Sequence, residues 1–183
     1  MVLFAKNADE KLPMASTTKI MTALIALESS DLSDTITFSA HAASMPDVQL
    51  NATSGEQFTL RDLLYSLLLE SHNDTAVAIA EHVSGSTEAF ADKMNEKAAE
   101  LGLSSTHFVT PNGLDADEHY TTAKERCLIA SDALQNQTFC KIIRTPAHSF
   151  ANRTNTKQYH VTNHDAFLIN YAGAIGIKTG FTG

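Results

Sequence analysis

The sequence predicts an α+β fold, with a helical middle set between short strand candidates at both ends. Three observations carry that expectation. A stretch apolar nearly all round, Ile20 to Leu27, reads as a buried helix. Apolar stripes at helical spacing then recur from Leu60 to about Asn136. Short extended runs fall at Val2–Ala5, at Thr35–Phe38, and again beyond Pro146, where the chain turns rich in Asn and Thr.

In order along the chain, Val2 to Ala5 is a strand candidate closed by the turn-like Lys6-Asn7-Ala8-Asp9. Pro13 precedes Ser16, Thr17, Thr18 and Lys19, the polar first turn of the otherwise apolar helix. Ser39 to Gln57 is a polar, loop-rich connection. Thr59 then starts a helix, with Asp62 three residues on and Leu60, Leu63, Leu64, Leu67 and Leu68 as its stripe. The polar cluster Glu70–Asp74 interrupts this pattern, Ala76–Val83 resumes it, and Gly85 ends it. Ser86 or Thr87 caps the next helix, whose apolar face is Phe90, Met94, Ala98 and Leu101. Thr110–Asp115 is a turn by composition. Thr122 and Glu125 form a capping box for a helix through about Asn136, with Cys127 on its apolar side as a buried thiol. Ser149–Asn152 and Gln158–Val161 read as extended, and Gly173–Phe181 as a glycine-flanked terminal strand.

Composition narrows the function. The 183 residues carry 13 Lys+Arg against 21 Asp+Glu, a net charge of −8, with no basic run. Such a field repels phosphate, so neither nucleic acid nor an anionic membrane is an expected partner. With 43% hydrophobic and 19% charged residues, the chain has the balance of a folded globular protein. No apolar run is long enough to span a bilayer, and the first residues have no signal-peptide pattern. Two cysteines, Cys127 and Cys140, make neither a disulfide framework nor a metal-site spacing. His160 and His164 stand four apart, but no glutamate follows His160 as a zinc helix requires. No metal and no cofactor is expected.

Three short patterns carry chemistry. Ser16 and Lys19 share one helix face, three residues apart, within reach of a hydroxyl–amine hydrogen bond. A lysine there has two reasons for a depressed pKa: apolar surroundings and the positive end of the helix dipole. A neutral amine beside a serine is a general base for a nucleophile. Ser71 and Asn73 sit where two helical patterns meet, offering a hydroxyl and an amide to one site; alternatively, Ser71, Asn73 or Asp74 simply caps the next helix. His72 between them is a candidate for tuning a pH response, but the expectation is a solvent-facing filler. Lys178-Thr179-Gly180 places a cation and a hydroxyl beside a residue that allows close backbone approach, which suits a carboxylate docked along a strand edge; the same residues suit a β-turn with a solvated lysine.

Each pattern is weak alone. Together, in the order S-x-x-K, S-x-N, K-T-G, they are the motif set shared by penicillin-binding proteins and class A β-lactamases. The sequence resembles the low-molecular-mass penicillin-binding proteins, specifically the D-alanyl-D-alanine carboxypeptidases. The likeness continues through Asn7-Ala8-Asp9, Pro13, Asp62-Leu63-Leu64, Pro111-Asn112-Gly113-Leu114, His119-Tyr120-Thr121-Thr122-Ala123 and Gly176 to Thr182. It therefore covers essentially the whole chain, as one serine DD-peptidase catalytic domain over residues 1–183.

The resemblance implies roles. Ser16 would be the acylated nucleophile, Lys19 its base, and Ser71 the hydroxyl that passes a proton to the departing D-alanine. Asn73 would hold the peptide amide and orient the lysine. Lys178, Thr179 and Gly180 would bind the terminal carboxylate, and the Ser16 and Phe181 amides would form the oxyanion hole. The implied partners are the peptidoglycan pentapeptide and β-lactam antibiotics. The implied location is extracytoplasmic, at the cell wall, with membrane attachment only through segments outside this chain. A class A β-lactamase needs a glutamate-bearing loop before K-T-G; the stretch Thr110–Tyr120 offers only Glu118. A non-catalytic binder of cell-wall peptides or β-lactams is the other alternative.

In the family, a helical lobe sits beside a five-stranded antiparallel sheet. This chain starts inside the second of those strands and ends just after the third. The expectation is a fragment with a nearly complete helical lobe, a sheet lobe truncated at both termini, and a tendency to aggregate through unpaired strand edges.

Overall fold

A computed structural model describes residues 3–181. The apolar run forms the central helix α1 (Lys19–Ser29), entered through a tight 3₁₀ turn at Ala15–Thr18. Every α1 side chain from Lys19 to Ala26 is buried, as a helix without a polar face requires. Around it pack α4 (Asn73–Ser84), α5 (Thr87–Glu100), α6 (Ala123–Ala133) and α7 (Gln137–Ile143). Strand β1 (Thr35–Thr37) leads to the short helix α2 (Ala40–Ala43), which lies on α4. Strand β2 (Gln57–Thr59) pairs antiparallel with β1, setting Ile36 opposite Phe58. Helix α3 (Leu60–Tyr65) follows directly and widens into a π-helical turn at Ser66–Glu70.

A second antiparallel pair, β3 (Ala147–Ala151) and β4 (Gln158–Thr162), precedes the short α8 (Phe167–Asn170). The two hairpins meet through aromatic edges, with Phe58 at 6.0 Å from Phe150 and 5.2 Å from Tyr159, centroid to centroid. Mixed helices and small antiparallel sheets make the α+β class expected from the sequence.

The caps follow the sequence. Thr59, Ser86 and Thr122 each accept a backbone N–H three residues on, and Gly85 closes α4 at φ +83°. The Thr122/Glu125 box is only half made. Glu125 turns its carboxylate to the Ser105 amide and the Thr106 hydroxyl, because a buried carboxylate needs donors that the helix end alone does not supply.

Several expectations are corrected. Leu3–Ala5 forms no strand, and the Val2 end of that candidate lies outside the described residues. Gly173–Phe181 runs irregularly rather than as a strand; Thr182, part of the same likeness, also lies outside them. The helix expected to reach Asn136 stops at Ala133, and Asn136 instead caps α7 by accepting from Thr138 and Phe139. Cys127 is exposed: the buried stripe of α6 is Glu125, Ile129 and Ala133, and Cys127 falls between its positions. Both cysteines are free.

Candidate active site

The site begins with the chain's sharp entry into α1. Ala15 takes a left-handed φ of +45°, which turns Ser16 out to a half-exposed position at the mouth of the helix. One turn on, Lys19 is 0% exposed. Its Nζ donates to Ser16 Oγ at 3.1 Å, to Asn73 Oδ1 at 2.8 Å and to the Asn112 carbonyl at 2.5 Å. The pairing expected from the three-residue spacing is therefore present.

Burial is the first cause that lowers the Lys19 pKa, to about 7; the charge of Lys178 lowers it further and Asp74 opposes. Lysine at this position is poised between charge states near neutrality. Among the causes expected from sequence, the apolar surroundings act as foreseen. The nearby cation was not foreseen, because it arrives from the far end of the chain.

The turn after the π-helical segment places Ser71 and Asn73. Ser71 adopts φ +72°, and its Oγ is buried with no hydrogen-bond partner among the described residues. Asn73 opens α4. Its Oδ1 accepts from Lys19, while its Nδ2 donates to the Pro46 and Asp47 carbonyls at 3.1 and 3.0 Å. The amide thus contacts the lysine directly, but both its protons face the 46–48 loop, so a hold on a substrate amide requires that loop to yield. Asp74 is no mere cap. It accepts from the Leu50, Asn51 and Thr75 amides, tying the same loop to α4, and burial raises its pKa.

His72 is corrected outright. It is 7% exposed, not solvent-facing, and burial first of all drives its pKa down to about 4, leaving it neutral at physiological pH. The middle position of S-x-N points inward here because the two flanking side chains already occupy the site side of the turn.

The turn at Pro111-Asn112-Gly113 forms one wall. The Thr22 hydroxyl donates to the Pro111 carbonyl at 2.6 Å, beside the Lys19–Asn112 bond. Gly113 has φ +83°, and a Cβ there would stand 2.0 Å from the Ala15 carbonyl oxygen, so no other residue fits without displacement. His119 braces the turn from behind. Its Nδ1 accepts from the Val109 amide, so Nε2 carries the proton and donates to Thr18 Oγ1 at 2.8 Å. Burial lowers the His119 pKa to about 4. Asn112, His119 and Asp74 support the site without having been assigned catalytic or binding roles from sequence; their signal was their place in the family-like runs P-N-G-L, H-Y-T-T and S-x-N-D, Asp74 being read otherwise only as a candidate cap.

The terminal segment closes over the first turn. Gly180 lies against Thr17 so tightly that a Cβ would come within 3.0 Å of Thr17 Cγ2. Ser16, Ser71, Asn73, Asn112 and Phe181 line one cleft of about 240 Å³, with Asp47 and Asp115 at its rim. Lys178 and Thr179 are beside this cleft, not in its lining. The Lys178 ammonium donates to the Thr179 carbonyl at 2.9 Å, burial lowers its pKa to about 8, and no carboxylate pairs with it among the described residues. The described residues hold no metal-competent group of three His, Cys, Asp or Glu.

The family model described as D-alanyl-D-alanine carboxypeptidase matches residues 1–183, and the chain belongs to that family. Among its curated relatives, the D-alanyl-D-alanine carboxypeptidase DacF of Bacillus subtilis is 38% identical over 100% of this chain and 48% of its own length. The D-alanyl-D-alanine carboxypeptidase of Streptomyces sp. K15 is 35% identical over 97% of this chain and 67% of its own. The chain thus spans about half to two thirds of these relatives. A solved structure of a cysteine-to-alanine mutant of the Streptomyces K15 DD-transpeptidase superposes with a TM-score of 0.91 at 35% identity, covering 98% of this chain and 75% of that one. The crystal structure of the D-alanyl-D-alanine carboxypeptidase of Mycobacterium tuberculosis H37Rv superposes at 0.92 and 36% identity, over 99% of this chain and 68% of that one.

Proposed function

We propose that this chain is a single serine DD-peptidase catalytic domain, part of a carboxypeptidase that removes the terminal D-alanine from peptidoglycan stem pentapeptides outside the cytoplasm. The observation that carries this is the contact of the buried, readily neutralised Lys19 amine with Ser16 Oγ.

In the neutral state Lys19 takes the Ser16 hydroxyl proton as Oγ attacks the penultimate D-alanine carbonyl. The developing oxyanion is held by the Ser16 and Phe181 amides, donors worth about 3–4 kcal/mol each in comparable acyl transfers. Collapse breaks the C–N bond, and Ser71 hands its proton to the departing amine and is reprotonated from Lys19. The amine is then neutral again and activates the water that hydrolyses the ester. Lys178, with Thr179 and Gly180, receives the substrate's terminal carboxylate; an unpaired, half-buried cation suits that task. β-Lactams acylate the same serine. No cofactor is required by this chemistry.

Against the β-lactamase alternative, Glu118 is exposed, takes φ +66°, and does not line the cleft. A glutamate-activated deacylating water therefore has no support at this turn. The test is D-alanine release from diacetyl-L-lysyl-D-alanyl-D-alanine, together with intact mass after benzylpenicillin. Release, with a lasting adduct lost in Ser16→Ala, is the expected result. Rapid penicillin turnover without D-alanine release favours the lactamase reading, and an adduct that survives Ser16→Ala removes Ser16 as nucleophile.

A further inference from the structure

We propose that His72 is a positioning residue: its imidazole braces the Ser71–Asn73 turn against the π-helical segment and so holds both residues in register with Lys19. This rests on the function proposed above, and deepens it.

Helix α4 starts without a side-chain cap, although His72 occupies the capping position. Instead, the ring reaches back one turn. His72 Nδ1 bonds Ser66 Oγ at 2.8 Å, and the same Ser66 oxygen bonds Thr75 Oγ1 at 2.8 Å. One hydroxyl, itself fully buried, therefore ties the start of the π-helical segment, the turn and the first turn of α4. The tie spans the two peptide units that matter most. Ser71 precedes it with φ +72° and an unpartnered hydroxyl, a conformation that a non-glycine residue holds only when its surroundings impose it. Asn73 follows it and grips Lys19.

The ring is well suited to a static role. The charges that face it are Glu70 on the π-helical segment, which favours its protonated form, and Lys19, His164 and Lys178, which together with burial oppose it. Glu70 is in turn engaged by His164 Nε2 at 2.9 Å and by the Thr162 amide and hydroxyl. A neutral imidazole so placed contributes geometry, not protons.

The test compares His72→Ala, His72→Asn and Ser66→Ala with the wild-type chain. Amide exchange over residues 70–76 is read without ligand, and benzylpenicillin acylation as a function of concentration and pH. His72→Ala and Ser66→Ala are expected to speed exchange at the turn and to lower the limiting acylation rate about 10- to 100-fold, the penalty of a misplacement near 1 Å. The half-saturating concentration and the pH midpoint stay in place. His72→Asn, which keeps a hydrogen-bonding atom near the Nδ1 position, restores most of the rate. Should His72→Ala prove too unstable, Ser66→Ala alone decides, since it removes the tie and little volume. Unchanged exchange in Ser66→Ala overturns the proposal, as does an unchanged limiting rate with a moved pH midpoint. A wild-type chain that takes no label defeats the proposed function instead, and the exchange comparison still judges the brace.

Discussion

Ser71 shows most plainly how one residue's stability and function diverge. Its hydroxyl is buried and bonded to nothing among the described residues, so it costs desolvation without return. Ser71→Ala should melt at the same temperature or slightly higher, by scanning calorimetry, while D-alanine release falls about 10²- to 10⁴-fold, the range for a lost proton carrier. The buried imidazoles make a second prediction. His72 and His119 both have folded pKa values near 4, below the ordinary value of 6.5. The unfolded chain therefore binds more protons between pH 6.5 and 4, and stability falls as pH drops through that window. At about 1.4 kcal/mol per unit, each imidazole accounts for about 3 kcal/mol once the pH is below 4. Asp74, held high by burial, pulls the other way. Denaturant midpoints measured across the window should fall, and less so in His119→Gln, whose amide retains a hydrogen-bonding group but does not titrate. None of this was legible at Ser71 or His72 from sequence. The residue types were visible, but which side of a two-residue turn faces inward depends on the π-helical widening before it.

Among elements, α1 was the most readable. Polar residues confined to the first turn of an apolar helix require that turn to border a site, and Ser16 with Lys19 stands there. The caps at Thr59, Ser86 and Thr122 were readable for a similar reason: each bond is local. The terminal strand candidate was not, because a strand exists only with a partner, and residues 173–181 have none among the described residues. The turn at 111–113 is the element on which the site leans most. Gly113→Ala meets both a left-handed φ and the Ala15 carbonyl, so it should lower stability by at least about 1–3 kcal/mol from backbone strain alone. It should also slow acylation more than Ser71-independent surface changes do. Equal acylation and an unchanged melting temperature would show that the wall at Gly113 does not support Ser16.

At the scale of the molecule, apolar surface gathers where the chain enters its first described residues. Leu3 and Phe4 are 86% and 83% exposed, and with Ala5, Ala123 and Cys127 they line a hollow of about 750 Å³, larger than the active-site cleft. Surface of this kind takes up apolar fluorophores. The chain should enhance anilinonaphthalene sulfonate emission while folded, and Leu3→Lys with Phe4→Lys should abolish most of that signal without lowering the melting temperature. Emission that persists in the double variant would place the dye elsewhere. The class of fold and the three motifs were legible because they rest on periodicity and on local spacing. Their convergence on one site came only through the family resemblance, since Lys178 reaches Lys19 across most of the chain.

The central claim is that Lys19 acts as an uncharged base on Ser16, and the pH dependence of acylation measures it. Rates of benzylpenicillin adduct formation, followed by intact mass from pH 5 to 9, should rise with pH through a midpoint of about 7 and then level, as the amine loses its proton. Lys19→Met should remain folded and unlabelled at every pH. A flat profile, or a Lys19→Met chain that acylates at the wild-type rate, would contradict the account.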